Sequence, residues 1–368
     1  MSKITTLMVT TVFLVAAAAT QVFAGGQSES KTPSAMASSS SSNSGGELLG
    51  AGSSFAFPIY SKMGSEYAKV TGVKLNYQSI GSSGGIKNIK NKVVDFGGSD
   101  AFLTDAQMKD FDAPLIQFPT VAGSIVITYN LPNNPTLKLT GPVVADIFQG
   151  KITKWTDPAI TSLNPGVSLP NQDIVVAHRS DGSGTTFNFT LYLSRVSDAW
   201  KQAVGNGTSV DWPVGLGGAQ NAGVAGIVKQ TPGAIGYVEL AYASQNNLPF
   251  ATLQNAAGNW IVPSLASTSA AANTKIPDDG RIYLDNSPAP QGYPITTLTW
   301  VIAYKEQSYG GRSLEHAQKV AKFFWWMIHD GEQYAEPLQY AQLPAAAVAA
   351  DEAIIKSMTY NGKPLITN

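Results

Sequence analysis

The run Arg179-Ser180-Asp181-Gly182-Ser183-Gly184-Thr185-Thr186-Phe187 assembles groups able to hold an anion. It follows an apolar stretch, Ile174 to Ala177, that reads as a buried strand, and it leads into Phe187 to Leu193, whose spacing predicts an amphipathic helix. Glycines let the backbone approach a ligand closely. The first N–H groups of a helix lack intrahelical partners, and the helix dipole favours negative charge beside them. Ser183 and Thr185 add hydroxyl donors, and Arg179 adds a planar, permanently charged fork suited to phosphate or carboxylate oxygens. Asp181 repels a bound anion unless it serves to hold the arginine and offset part of its charge. A helix cap beside a surface ion pair would use the same residues, so this segment alone leaves both readings open.

Two further segments repeat the layout of strand, glycine-serine loop and helix. Leu48 to Gly52 runs into Ser53-Ser54-Phe55 and then a helical pattern from Pro58, a residue suited to a first helical turn. Val73 to Tyr77 alternates like a half-buried strand and runs into Gly81-Ser82-Ser83-Gly84-Gly85, with Ile86, Ile89 and Val93 following at helical spacing. Val93 to Asp100 reads as a strand whose glycine turn presents Asp100. A carboxylate only accepts hydrogen bonds, so in a closed site it favours a ligand that still carries a proton. Hydrogen phosphate has one near neutral pH and sulfate does not, which makes Asp100 a device against sulfate. The alternative for Asp100 is a cap on a helix starting after Ala101.

Other chemistries fit the chain poorly. Ser83 sits in a formal G-x-S-x-G, but a serine hydrolase needs a histidine base. The chain has three histidines: His178, beside Arg179, and His316 and His329, both on a predicted amphipathic helix. Neither Gly85 nor Gly184 is followed by the Lys-Ser/Thr of a phosphate-binding P-loop. Ligand spacing for a metal is missing, and the absence of cysteine removes disulfides, thiolate metal sites and cysteine nucleophiles. With 24 basic and 25 acidic residues in 368, no global field points to nucleic acid or an anionic membrane. No cofactor is expected.

Around these loops the chain alternates strands and helices, which predicts an α/β architecture. Residues 1–24 have the n-region, short apolar core and Val22-Phe23-Ala24 ending of an export signal. Residues 25–47 are serine-rich and read as a disordered tether. Leu115 to Pro119 and Ser124 to Tyr129 read as buried strands, with a crossing to another lobe near Gly123. Val143 to Ile152 reads as a helix ended by Thr156-Asp157-Pro158, Val224 to Gln230 as a helix, and Ile235 to Val238 as a strand. Thr296 to Tyr304 is a strong strand, and 316–329 a strong helix with Val320, Phe323, Phe324 and Met327 on one face. From Leu253 to Pro290 no periodicity assigns an element.

In order and spacing, Gly50-Ala51-Gly52-Ser53-Ser54-Phe55, Gly81-Ser82-Ser83-Gly84-Gly85, Asp95-Phe96-Gly97-Gly98-Ser99-Asp100 and the Arg179 loop resemble the periplasmic phosphate-binding proteins of bacterial phosphate ABC importers. The resemblance runs from Gly50 to the C-terminus. It implies a two-lobed periplasmic-binding-protein fold with a ligand cleft between the lobes, lobe I from 48–124 plus 296–368 and lobe II from 125–295. It also implies phosphate bound by Ser54, the Phe55 backbone, Ser82, Asp100, Arg179, Ser183, Gly184 and Thr185, with Asp181 as the partner of the arginine. The chain would then be a monomeric periplasmic receptor, not an enzyme, with its signal cleaved near Ala24, delivering phosphate to permease and ATPase subunits. Ser54 stands where the family often has threonine, and Ala56-Phe57 replaces a more proline-rich helix start. A phosphate-ester hydrolase using Ser83 and an adhesion protein that leaves the site unused are the rival classes.

Overall fold

The computed structural model describes residues 46–367. The expected export signal, and the expected tether up to residue 45, lie outside the described residues. Glu47 already belongs to the first strand, β1 (Glu47–Gly52), which pairs in parallel with β2 (Lys74–Ser79) and β3 (Phe96–Ser99). Helix α1 (Phe57–Thr71) crosses between β1 and β2, with Pro58 in its first turn and Ile59, Tyr60, Met63 and Tyr67 on its buried face. Gly72 ends it in the left-handed region at φ 75°, where its N–H reaches Ala68 O at 2.9 Å. Helix α2 (Ser82–Lys90) returns the chain to β3. It stops short of Val93, which is 56% exposed: the helical spacing of that valine with Ile86 and Ile89 outlasts the helix itself.

The two apolar runs around Pro119 and Ile125 form one 15-residue strand, β4 (Leu115–Tyr129), buried at every position after the first. It changes partner midway. Leu115 to Ser124 pair with β8 (Thr296–Tyr304) and Ile125 to Tyr129 with β7 (Ala234–Glu239), both antiparallel. Strand β5 (Val175–Arg179) then adds in parallel to β7, and β6 (Leu216–Gly218) in parallel to β5. The resulting eight-stranded order is β2-β1-β3-β8-β4-β7-β5-β6. Two parallel units are thus joined by antiparallel β8 and β4, giving the two-lobed α/β architecture that the resemblance implies. Strands covered on both faces read as continuous apolar runs, which is why β4 and β8 are the plainest in the sequence.

Aromatic residues fill both cores. Phe324 of α6 (Leu314–Met327) meets Phe96 and Phe118 edge-on at 5.5 and 5.4 Å between centroids. In the other unit Phe189, on α4 (Gly184–Val196), stacks on Tyr237 at 4.2 Å, and His178 stacks on Trp212 at 4.8 Å. Burying each large side chain of this kind contributes about 1.5–3 kcal/mol. The helix read at Val143 to Ile152 is shorter than expected: α3 spans Gly141–Phe148, and Gly150 follows at φ 73°. Asp157 does not end it but caps the next helix, Pro158–Thr161, by accepting the Ala159 N–H at 2.8 Å. The unassigned stretch holds short strands at Thr252–Gln254 and Trp260–Ile261 and a helix, Leu265–Ala272, started by a Ser264/Ser267 capping box. Among the described residues no helix is long and apolar enough to cross a membrane.

Asp351, on α7 (Ala345–Lys356), is fully buried, and neither of its carboxyl oxygens has a hydrogen-bond partner among the described residues. Burial first, and then the nearby Glu332, push its pKa well above the usual carboxylate range. A group whose pKa is raised on folding gives stability that is complete below its unfolded value and lost as pH climbs through the folded one. Asp351→Asn, which has no charge to bury, is expected to melt about 2 °C higher than wild type at pH 8 and no higher at pH 4. Scanning calorimetry at the two pH values checks this, and an equal shift at both would remove the charge explanation.

Candidate functional site

Four loops meet where the parallel strands end, the usual location of ligand sites in open α/β sheets. Ser53 to Ala56 follow β1, Ile80 and Gly81 lead from β2 into α2, Asp100 follows β3, and Ser180 to Ser183 connect β5 to α4. A fifth contributor is the start of α5 (Gln220–Gln230), just after β6. The helix starts at Ser82, Gly184 and Gln220 therefore open on one region, where several of their first N–H groups are held by loop oxygens of the same cluster.

The sequence-predicted residues lie together there. Ser54, Phe55, Ser82, Asp100, Arg179, Ser183 and Thr185 are each at most 3% exposed. Ser82 Oγ accepts the Gly184 N–H at 3.0 Å and the Asp100 N–H at 3.3 Å. Thr185 Oγ1 donates to Asp100 Oδ2 at 3.4 Å, and Asn221 Nδ2 reaches both Ser54 Oγ at 3.0 Å and Thr185 Oγ1 at 3.2 Å. Ser183 caps α4 by accepting the Thr186 N–H at 3.0 Å, which leaves its own proton to donate. The Phe55 carbonyl is held by Tyr340 Oη at 2.6 Å. Asp100 is not a helix cap: the next helix begins at Asp105, under its own cap Thr104.

Arg179 is arranged as the carboxylate two residues away suggests. Its Nε and Nη2 donate to Asp181 Oδ1 and Oδ2 at 2.8 and 2.5 Å, while Nη1 is buried without a hydrogen-bond partner among the described residues. Burial pushes the Asp181 carboxyl up, but the hydrogen bonds and charge of Arg179, with the Gln220 N–H at 2.9 Å, outweigh it and hold Asp181 below its ordinary value. Asp100 shows the opposite balance. Burial pushes it up to about 6, against hydroxyl donors from Ser53, Thr299 and Thr185 and the charge of Arg179.

The loops of the two lobes interlock over this cluster. The Ser83 N–H donates to Gly182 O at 3.1 Å, and Ser79 Oγ donates to Gln220 Oε1 at 3.1 Å while Gln220 Nε2 donates back to the Ser79 carbonyl. Gln220 holds a left-handed φ of 62°, a conformation costly for a side chain with Cβ. Among the described residues no histidine is hydrogen-bonded to Ser83: His178 Nδ1 lies 3.1 Å from the Arg179 carbonyl, His316 Nε2 contacts Asp95 at 2.7 Å, and His329 contacts the Trp325 carbonyl and Glu352 at 2.8 and 3.1 Å.

Sequence reasoning missed Ser53, Gln220, Asn221 and Thr299. Thr299 is one of three buried threonines in its strand, with Thr296 and Thr297, and nothing local singles it out. Gln220 and Asn221 had no signal either, because α5 starts after Ala219 without a side-chain cap and inside a glycine-rich stretch.

A two-lobed α/β fold closed over a buried set of hydroxyls, helix N-termini, one arginine and one carboxylate defines the class of hinge-bending solute-binding proteins. Comparison with known proteins agrees. A sequence model described as PBP superfamily domain matches residues 37–330. The phosphate-binding protein PstS of Xylella fastidiosa is 46% identical over 314 residues, covering 83% of this chain and 84% of the relative. That of Haemophilus influenzae is 45% identical over 307 residues, covering 82% and 90%. Among solved structures, a high-affinity periplasmic phosphate-binding protein (PfluDING) bound with phosphate superposes with a TM-score of 0.68 at 20% identity, covering 83% of this chain and 93% of that one, which supports the fold. The chain belongs to the PBP superfamily and, within it, to the PstS family of phosphate-binding proteins.

Proposed function

We propose that this chain is an extracytoplasmic receptor for inorganic phosphate that hands its ligand to the permease and ATPase subunits of a phosphate ABC importer. The observation that carries the reading is one enclosed cluster in which an arginine with an uncommitted nitrogen shares its surroundings with a buried carboxylate. With phosphate bound, the Gly184 N–H and the Thr185 hydroxyl would turn from Ser82 and Asp100 to the ligand and, with Arg179 Nη1, the Phe55 N–H and the hydroxyls of Ser54, Ser82 and Ser183, donate to phosphate oxygens. Asp100 would accept the proton that phosphate keeps. Each hydrogen bond to a charged acceptor is worth about 1.5–3 kcal/mol, so several donors outweigh the repulsion of one carboxylate. No chemical step is required of any residue, and the lack, among the described residues, of a histidine bonded to Ser83 supports a receptor over a hydrolase.

Lobe I in this reading comprises 48–124 with 296–368, and lobe II 125–295. The partner change of β4 between Ser124 and Ile125 supports that division. The mature chain would be a periplasmic monomer released by cleavage near Ala24. Calorimetric titration of that chain at pH 8 tests the reading: phosphate binds and sulfate does not, and a chain that bound neither would end it. In the same titration Asp100→Asn, whose amide can donate, is expected to gain at least about tenfold in sulfate affinity. A variant that still excluded sulfate as wild type does would remove the assigned role of Asp100.

A further inference from the structure

Asp100 Oδ1 is the more heavily engaged of the two carboxylate oxygens. It accepts from Ser53 Oγ and, at 3.0 Å, from Thr299 Oγ1, whereas Oδ2 accepts only from Thr185 Oγ1 at 3.4 Å among the described residues. The two donors to Oδ1 differ in commitment. Thr299 Oγ1 also lies within 3.4 Å of the Ser99 carbonyl, so its single proton has two acceptors. Ser53 Oγ accepts the Ala56 N–H at 3.0 Å, and its one proton goes to Asp100. Its backbone is fixed at both ends, since its N–H donates to Gly98 O at 2.8 Å and its carbonyl accepts from Tyr77 Oη at 3.1 Å. The side chain is fully buried, so no water competes for that proton.

We infer that Ser53 is a specificity-positioning residue: it spends its proton on Asp100 Oδ1, keeps that carboxylate ionised in a dry pocket, and leaves Oδ2 to face the ligand. This rests on the phosphate-receptor reading and deepens it. An ionised Asp100 rejects an anion that has no proton to give, whereas a protonated one can donate to it, so the donor that sustains the ionised form sustains the exclusion. Other groups also bear on the same carboxyl. Arg179 favours its charge, whereas Glu239, which burial pushes up to about 8, opposes it only where it ionises, and Tyr60, Tyr77, Tyr242 and Tyr340 are pushed by burial above the ordinary tyrosine range and stay neutral. None of these is altered by a change at position 53.

Sulfate reads this directly. A proton between phosphate and Asp100 is counted the same whichever partner holds it, but sulfate binds only when Asp100 supplies one. The experiment measures sulfate and phosphate affinity by calorimetry from pH 4.5 to 8 for wild type, Ser53→Ala, Ser53→Cys and Thr299→Val. In wild type, sulfate affinity rises as pH falls through the Asp100 value. Loss of a hydrogen bond to the charged form raises that value, so Ser53→Ala is expected to move the midpoint up by about 1 pH unit. The weak donor in Ser53→Cys should give an intermediate shift, which also answers for Ser53→Ala if that variant does not fold, and Thr299→Val a smaller one. Unmoved midpoints in both Ser53 variants, with wild type still binding phosphate, overturn the role of Ser53 and leave the receptor reading standing. A wild-type chain that binds neither anion overturns both.

Discussion

Arg179→Ala is expected to bind phosphate at least about a hundredfold more weakly than wild type. Removing one partner of a desolvated, hydrogen-bonded charge pair costs about 2–5 kcal/mol, and here the loss has two parts. Nη1, a buried donor without a partner among the described residues, disappears together with the positive charge that favours an anion in the pocket. Asp181 then keeps its negative charge beside the ligand, answered among the described residues by the Gln220 N–H. Arg179→Lys restores the charge but not the fork that bonds Asp181 through Nε and Nη2, so partial recovery is expected. Asp181→Ala frees the fork to turn and removes the acceptor that holds Gln220, for an expected loss of about tenfold. Because both changes act on one unit, and the double variant also removes the unanswered Asp181 charge, it should bind no more weakly than Arg179→Ala alone and somewhat better. Calorimetric titration of the four proteins gives the cycle, and additive losses would mean that Asp181 does not work through the arginine.

The parts of this site that the sequence exposed share a local cause. A buried strand, a glycine-serine turn and a periodic helix are all short-range patterns, and they lead to Ser54, Ser82 and Ser183 without knowledge of the fold. Strand β8 and helix α6 were equally legible, the strand because all nine of its residues are buried and the helix because it buries one face at its own period over fourteen residues. Gln220 and Asn221 were hidden because what selects them is distant: Asn221 is placed by Ser54 and Thr185, and the left-handed Gln220 by Asp181 and Ser79. Ser53 looked like a duplicate of its neighbour, and only the position of Asp100 tells the two serines apart. The helix at Val143 misled for a local reason. Its apolar spacing continues past the point where Gly150 turns the chain.

Gly184→Ala separates closure from ligand contact, and it is expected to cost at least about a hundredfold in phosphate affinity without weakening either lobe. Gly184 is the first residue of α4 and has no positive φ, so alanine fits the local backbone and is the better helix former. What it lacks is room across the cleft. A Cβ there would lie 2.6 Å from Ser82 Oγ and 2.7 Å from both the Cβ and the backbone N of Asp100. Those atoms belong to the opposite lobe, and two of the three cannot swing aside. The lobes would have to stand apart by several tenths of an ångström, lengthening the Gly184 N–H to Ser82 bond and the Thr185 to Asp100 bond together. Donors and carboxylate could then no longer grip one small ion at hydrogen-bond distance, since such bonds weaken steeply once stretched. Gly226→Ala, where a Cβ meets nothing within 4 Å, is the matched control and should bind as wild type does. Thermal unfolding makes the distinction quantitative. A ligand at a hundred times its Kd adds about 2.7 kcal/mol to stability, so phosphate should raise the Tm of the control and leave that of Gly184→Ala nearly unmoved, with the two ligand-free proteins melting together. If Gly184→Ala kept the wild-type response to phosphate, the interlocked loops would not be the ones that close on the ligand.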